Sequence, residues 1–165
     1  MRFLLRTLLY LSLVVWLGAE VFFAVVANVS FTTLRPDTHT AGAILCKLLP
    51  ILHRIGLVAG TAALVLLLLA PFARLFKPRM VWTPMTLLLL MMLLTAYSQF
   101  RIIPAMVRDG LAADKAVVSS SDATNPGWID FSKLHLRAEQ VEESVLLLGL
   151  ATAALGAATE TATKT

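Results

Sequence analysis

The chain of 165 residues contains a single cysteine, Cys46, and only 15% of its residues are charged. One cysteine excludes an internal disulfide and any metal site built on several thiolates. The charged fraction is well below the ~25% of soluble domains. Together with a mean hydropathy of +0.81, it disfavours a disordered chain and an ordinary water-soluble enzyme. The membrane class remains.

Other function classes lack their signatures as well. The net charge is +4, but no basic run interleaved with aromatic residues is present, so we expect no nucleic-acid partner. The chain has no G-x-S-x-G, H-E-x-x-H or Walker motif, and no nucleophile has an identifiable base. We therefore expect no enzyme activity without a bound cofactor.

Long uncharged runs predict an all-α, polytopic membrane protein in which four transmembrane helices form one bundle. We place these helices at roughly residues 8–30, 48–70, 81–103 and 131–158. The whole chain, 1–165, is then a single membrane domain with an extramembrane loop at 104–130. Asp130 suits the N-cap of the last helix, because its short side chain can accept from free amides of the first turn.

The N-terminal segment resembles a signal peptide, with Arg2 and Arg6 before an apolar run. The apolar pattern continues past Glu20, which favours an uncleaved first span. The short connection between the second and third helices is rich in Lys and Arg, as is the N-terminus, and positive charge marks the cytoplasmic side. We expect both termini in the cytoplasm, in a bacterial inner membrane.

Polar residues within the apolar runs are the informative ones. Glu20 lies near the middle of the first helix, where a charged side chain costs about 2.5–3.5 kcal/mol and so faces protein or water. Asn28 lies on the same helical face, and Gln99 occupies the third helix with Thr95. Two interpretations of Glu20 stay open: a proton-relay or cation-binding carboxylate, and a hydrogen-bonded packing residue.

The second helix contains a G-x-x-x-G motif, Gly56 to Gly60, which is typical of close helix packing in membranes. His53 precedes Gly56 by three residues and therefore shares its face. We expect His53 to point into the bundle.

The last helix has a seam of residues at alternating steps of four and three, polar at its beginning and small at its end. Its members are His135, Glu139, Glu142, Leu146, Gly149, Ala153 and Gly156. The small residues Gly149 and Ala153 predict helix packing. With His53, the residues His135, Glu139 and Glu142 could supply nitrogen and oxygen ligands to a divalent metal. The alternatives are a structural hydrogen-bond network or a face solvated by water in the lipid headgroup region.

Several short segments occur in an order that resembles the transmembrane protein 205-like family. They are Phe31-Thr32-Thr33-Leu34, Ala41-Gly42, Lys47-Leu48-Leu49-Pro50, Arg101-Ile102-Ile103-Pro104 and Phe131-Ser132-Lys133-Leu134-His135. The resemblance covers nearly the whole chain and implies a small four-helix membrane protein. The sequence departs from the family pattern after His135, where Ala138, Glu139 and Glu142 stand in place of a serine and an asparagine.

Two functional hypotheses follow. The first is a non-enzymatic membrane protein whose polar seam serves packing, partner binding or small-ion handling, and no cofactor is predicted for it. The alternative is a haem- or metal-binding membrane protein that uses His53 and His135. The lipid bilayer is the expected partner in both, and a homo-oligomer or a second membrane protein would extend the small interior of four helices.

Overall fold

Four long helices make up the computed structural model, which describes residues 2–35, 38–72, 78–108 and 126–161. They are α1 (Arg2–Thr33), α2 (Thr38–Leu69), α3 (Pro78–Tyr97) and α4 (Pro126–Thr161). A π-helical segment, Ser98–Ile102, follows α3, and the chain remains helical through residues 103–108. Within the described residues there is no β-strand.

The helical stretches extend beyond the uncharged runs that predicted them, when the helical residues that follow α3 are included. α2 begins ten residues before the predicted residue 48, which places Pro50 in its interior. Membrane helices tolerate an interior proline because neighbouring groups satisfy the freed carbonyl. α4 begins at Pro126, so Asp130 lies within the helix and the N-cap prediction is wrong. The predicted loop at 104–130 is helical at both ends, and residues 109–125 lie outside the described part of the chain.

Contacts between α1 and α4 show that these helices run antiparallel. Leu17 packs at Gly149, and Tyr10 packs at Gly156, so residue numbers fall along α1 as they rise along α4. The same reversal relates the other neighbours. For α1–α2, Trp16 lies at Gly60, and Phe23 packs against the cluster that contains Leu49 and Leu52. The corresponding pairs are Gly60 with Met92 and His53 with Gln99 for α2–α3, and Met91 with Gly149 and Ser98 with Glu142 for α3–α4. The helices therefore form a closed up-down-up-down ring.

The interior of the ring contains two apolar clusters and a group of polar side chains. The main apolar cluster includes Leu13, Trp16, Leu88, Met91 and Val145. A smaller cluster, formed around Ile102, Met106 and Ala138, packs against Cys46. These residues bury the inner faces of all four helices.

The outer surface of the ring is also apolar. Side chains such as Phe22, Val58, Leu93 and Leu147, one from each helix, are more than half exposed. Patches of this extent mark a surface that contacts lipid or protein and not water. The exterior therefore matches the interior in polarity, as in membrane proteins.

Three helical stretches in the described residues are long and apolar enough to cross a membrane: Phe3–Thr33, Thr40–Leu69 and Val81–Arg108. Their mean hydropathies are 2.1, 2.0 and 1.6. The membrane character predicted from composition is therefore supported. α4 is not among these candidates in the described part of the chain; its first half has several charged residues.

Candidate functional site

A buried polar cluster lies in the centre of the ring and receives side chains from all four helices. It consists of Trp16 and Glu20 from α1, His53 from α2, Ser98 and Gln99 from the π-helical segment, and Glu142 from α4. We refer to these six residues as the polar cluster. Its position at the crossing of four helices makes it the candidate functional site.

His53 is the hub of the polar cluster. Its side chain is fully buried, and its Nε2 lies 2.6 Å from Oε1 of Glu142, whose side chain is 16% exposed. Its Nδ1 lies 3.2 Å from Oε1 of Gln99. Both nitrogens donate to these oxygens when His53 is an imidazolium. A neutral ring fits in two other ways: with the Gln99 amide rotated so that its NH2 group donates to Nδ1, or with the ring proton on Nδ1 and a protonated Glu142 carboxyl that donates to Nε2.

Glu142 collects donors from two other helices. Besides His53, the hydroxyl of Ser98 donates to its Oε1 at 3.3 Å. The Glu20 carboxyl lies beside that of Glu142, within range of electrostatic and hydrogen-bond interaction. Two carboxyl groups and one imidazole therefore share a volume with little water, where unbalanced charge is costly.

Glu20 is positioned by a tryptophan that two glycines make room for. The indole Nε1–H of Trp16 donates to Oε1 of Glu20 at 3.2 Å, one turn along α1. The Trp16 ring is fully buried against the bare backbone of Gly56 and Gly60. A Cβ added to Gly56 would lie 2.5 Å from Nε1 of Trp16. The G-x-x-x-G motif thus accommodates an aromatic ring whose polar end binds the acid.

The π-helical segment has an identifiable cause in Pro104. This residue has no N–H to donate and its ring presses on the preceding turn, so the helix widens there. The amide of Ile103 donates to the carbonyl of Ser98, five residues earlier. The Gln99 carbonyl therefore receives no hydrogen bond from Ile103, which donates to Ser98, and none from Pro104, which has no N–H. Both cluster residues of this segment lie in the widened turn.

Two buried oxygen atoms near the polar cluster have no hydrogen-bond partner: Oε2 of Glu142 and Oγ1 of Thr95. Thr95 is fully buried and lies one turn before Ser98 and Gln99 on the same helical face. An unsatisfied buried polar group costs about 1–3 kcal/mol. These two oxygen atoms are therefore free to accept a hydrogen bond or to bind a cation.

The structure divides the four predicted metal ligands into two pairs. His53 and Glu142 contact each other inside the bundle. His135 and Glu139 form a second pair, with 3.2 Å between Nε2 and Oε1, and their side chains are 44% and 57% exposed. No group of three or more His, Cys, Asp or Glu side chains with metal-site geometry occurs among the described residues.

The other residues singled out from the sequence are distributed as follows. Glu20 is buried and Gln99 is half-buried, and both belong to the polar cluster; Asn28 is exposed and does not contact it. Gly149 packs against Leu17 and Met91 at the meeting of three helices, and Ala153 is half-buried further along α4.

Sequence reasoning missed Trp16 and Ser98 as members of the polar cluster. Trp16 had a usable signal, because it precedes Glu20 by four residues and therefore faces the same side of α1. Ser98 had a weaker one: Pro104 follows it by six residues in a helical run and predicts a local distortion. Neither signal identifies the partner on another helix.

A family model described as "Domain of unknown function (DUF4149)" matches residues 11–109 of the chain. The match covers α1 from residue 11 onward, α2, α3 and the π-helical segment, and it ends before α4. Neither the curated proteins nor the solved structures gave a match.

Proposed function

This chain belongs to the DUF4149 family, and from that premise we propose that it is an integral membrane protein that handles a small cation at the polar cluster. The observation that carries the proposal is the convergence of two carboxyl groups and a fully buried imidazole from three helices. Acid and histidine side chains in membrane interiors are costly, and proteins use them in proton relays and ion paths. Packing alone would be served by apolar residues.

The depth of the polar cluster supports this proposal. Glu20 lies 17 residues after the start and 13 before the end of its span, and His53 lies 13 and 16 residues from the ends of its own. With a rise of 1.5 Å per residue, Glu20, His53 and Gln99 each lie within about 7 Å of the midpoint of their spans. Coupling-ion sites of transporters lie near the bilayer midplane.

We also propose that α4 crosses the membrane, which completes the predicted four-helix membrane bundle. Its second half exposes Leu147, Leu150 and Leu155, an apolar surface like that of the other helices. Its charged residue Glu142 is directed inward to His53. The same proposal includes the resemblance to the transmembrane protein 205-like family. It also places the protein in a bacterial inner membrane, with both termini in the cytoplasm, and includes an oligomeric assembly.

Ion flux across liposomes tests the proposed function. Purified protein would be reconstituted, and a proton or Na+ gradient would be followed with a dye enclosed in the vesicles. We expect wild-type protein to dissipate one of the gradients faster than empty liposomes, and Glu142→Gln to abolish the difference. Glu143→Gln is the matched control, because Glu143 is the adjacent acid and is exposed. Equal flux in wild-type and empty liposomes, or full flux in Glu142→Gln, would refute the proposal.

Haem or metal binding by His53 and His135 stays the alternative. His53 and Glu142 are hydrogen-bonded to each other, so a metal at His53 would have to replace this contact. Elemental analysis and an absorption spectrum of the purified protein test this alternative. A metal or Soret band lost in both His53→Ala and His135→Ala would favour it over the proposed function.

A further inference from the structure

Thr95 departs from the behaviour of other hydroxyl residues in these helices. Seven of them donate to the carbonyl four residues earlier: Thr7, Ser12, Thr32, Thr61, Thr86, Ser144 and Thr152. This local bond is the usual way to satisfy a hydroxyl in an apolar setting. Thr95 is fully buried, yet its Oγ1 has no partner at all. Its oxygen is therefore available to something other than its own helix.

Contacts of α3 with α4 locate that oxygen beside the polar cluster. Met91, one turn before Thr95, lies at Gly149, and Ser98, one turn after it, bonds to Glu142. Thr95 consequently lies on the face of α3 that packs on α4, one turn from Glu142. The unpartnered Oε2 of Glu142 is in the same region of the interior.

The main chain of the widened turn adds a third acceptor. The carbonyl of Gln99 lacks the helix donor that it would have in a regular α-helix, because Ile103 donates to Ser98 and Pro104 has no N–H. In membrane transporters, carbonyls freed by helix irregularities coordinate Na+. The Gln99 carbonyl is therefore an oxygen ligand of the appropriate kind.

Charge in the polar cluster selects the valence of the missing partner. When both carboxyl groups are ionised and His53 is an imidazolium, Glu20 from α1 and Glu142 from α4 contribute two negative charges and His53 from α2 contributes one positive charge. The π-helical segment adds only the neutral Ser98 and Gln99. The charged side chains nearest in sequence to His53, Gln99 and Glu142, namely Arg54, Arg101, Glu139 and Glu143, are exposed. In this protonation state one monovalent cation makes the buried cluster neutral, whereas a divalent ion would leave it positive.

We infer that the polar cluster binds a dehydrated Na+-sized cation through oxygen atoms of Glu20, Thr95, Gln99 and Glu142. This inference rests on the proposed function and names its ion. A proton on Glu20 would satisfy Oε2 of Glu142, but it would leave the Thr95 hydroxyl without a partner. A cation with several oxygen ligands accounts for both atoms.

Trp16 provides a reporter for the site, because its indole bonds to Glu20. In a variant with Trp82→Phe and Trp128→Phe, Trp16 is the only one of three tryptophans that remains. The full chain in detergent would be titrated with NaCl at fixed pH, with ionic strength held constant by N-methylglucamine chloride. We expect a saturable change in Trp16 fluorescence and a rise in Tm with Na+, but not with N-methylglucamine alone.

Thr95→Val tests the ligand without enlarging or emptying the site. We expect it to weaken the Na+ response about tenfold or more, since one ligand is lost. We also expect it to raise Tm in the absence of Na+, since an unsatisfied hydroxyl is removed. Thr86→Val is the matched control on the same helix, because Thr86 is exposed and bonds to its own backbone. If Thr95→Val fails to fold, two other single variants test the same ligands. We expect Thr95→Ser to keep the Na+ response and Glu142→Gln to lose it.

Three results would overturn the inference: no saturable Na+ response in the wild-type chain, an undiminished response in Thr95→Val, or a Trp16 signal that follows pH alone. The last result, combined with proton flux in liposomes, would leave the proposed function standing with the proton as its ion. Saturable Na+ binding without flux of either ion would have the opposite meaning. The site would exist, and the transport function would fail.

Discussion

The fit of Trp16 against two glycines makes a signed prediction for Gly60→Ala. The new Cβ would collide with the Trp16 ring and would lie 3.0 Å from Cγ of Met92. Overpacking a filled interior costs about 1–3 kcal/mol. Displacing the indole from Glu20 adds about 0.5–1.5 kcal/mol, and the higher helix propensity of Ala returns about 0.8–1 kcal/mol. We expect a net loss of about 0.5–3.5 kcal/mol in the free energy of unfolding.

Gly18→Ala is the matched control for this substitution. Gly18 lies two residues from Trp16 on α1, and nothing lies within 4 Å of a Cβ placed there. We expect this variant to be as stable as the wild type or more stable, by up to about 1 kcal/mol. Reversible unfolding in mixed micelles of increasing SDS fraction, followed by circular dichroism, measures both changes. The two variants should therefore differ in sign.

A double-mutant cycle with Trp16→Leu tests whether the collision with the Trp16 ring causes the destabilisation by Gly60→Ala. Once the indole is absent, Gly60→Ala should cost less than about 0.5 kcal/mol, so that the two changes are strongly coupled. Additive losses would show that Gly60 meets something other than Trp16. Equal stabilisation by Gly60→Ala and Gly18→Ala would refute the packing described for this motif.

Two further predictions concern the polar cluster. Glu142→Gln removes the anionic partner of fully buried His53 and should cost about 2–4 kcal/mol, against less than about 0.5 kcal/mol for exposed Glu143→Gln, in the same SDS titration. Equal losses would contradict the buried pair. His53→Ala should likewise lower the midpoint of thermal unfolding far more than His135→Ala, whose side chain is 44% exposed. A larger loss in His135→Ala than in His53→Ala would contradict the stabilising role of the buried imidazole of His53.

Helical periodicity predicts some of the polar residues that face inward, but it also groups Asn28 with Glu20 and Glu139 with Glu142, and Asn28 and Glu139 are exposed. The spacing from Gly56 places His53 on the packing face of α2, and the seam of α4 directs Glu142 to the interior. Both side chains lie there in the structure. The same reasoning groups Thr95 with Gln99 on one face of the third helix, since it needs only local geometry.

Pairing between helices could not be predicted in this way. The seam offered His135, Glu139 and Glu142 as equivalent partners for His53, and only the third meets it. The choice depends on how far α4 is shifted along α2 and α3, which apolar packing at Gly149 determines. One turn of shift would exchange partners without changing any single-helix pattern. Sequence periodicity carries no information on that shift.

The low hydropathy of α4 has a consequence for the biogenesis of the protein. α1, α2 and the third span are long and apolar enough to cross a membrane, whereas the proposed insertion of α4 brings Glu142 to a position that is expensive until His53 is present. We expect the fourth helix to integrate last, with the other three as its scaffold. Cysteine-accessibility mapping of α4 in His53→Ala would then show a population in which this helix stays at the membrane surface. In that case the residue that organises the mature interior also completes the topology.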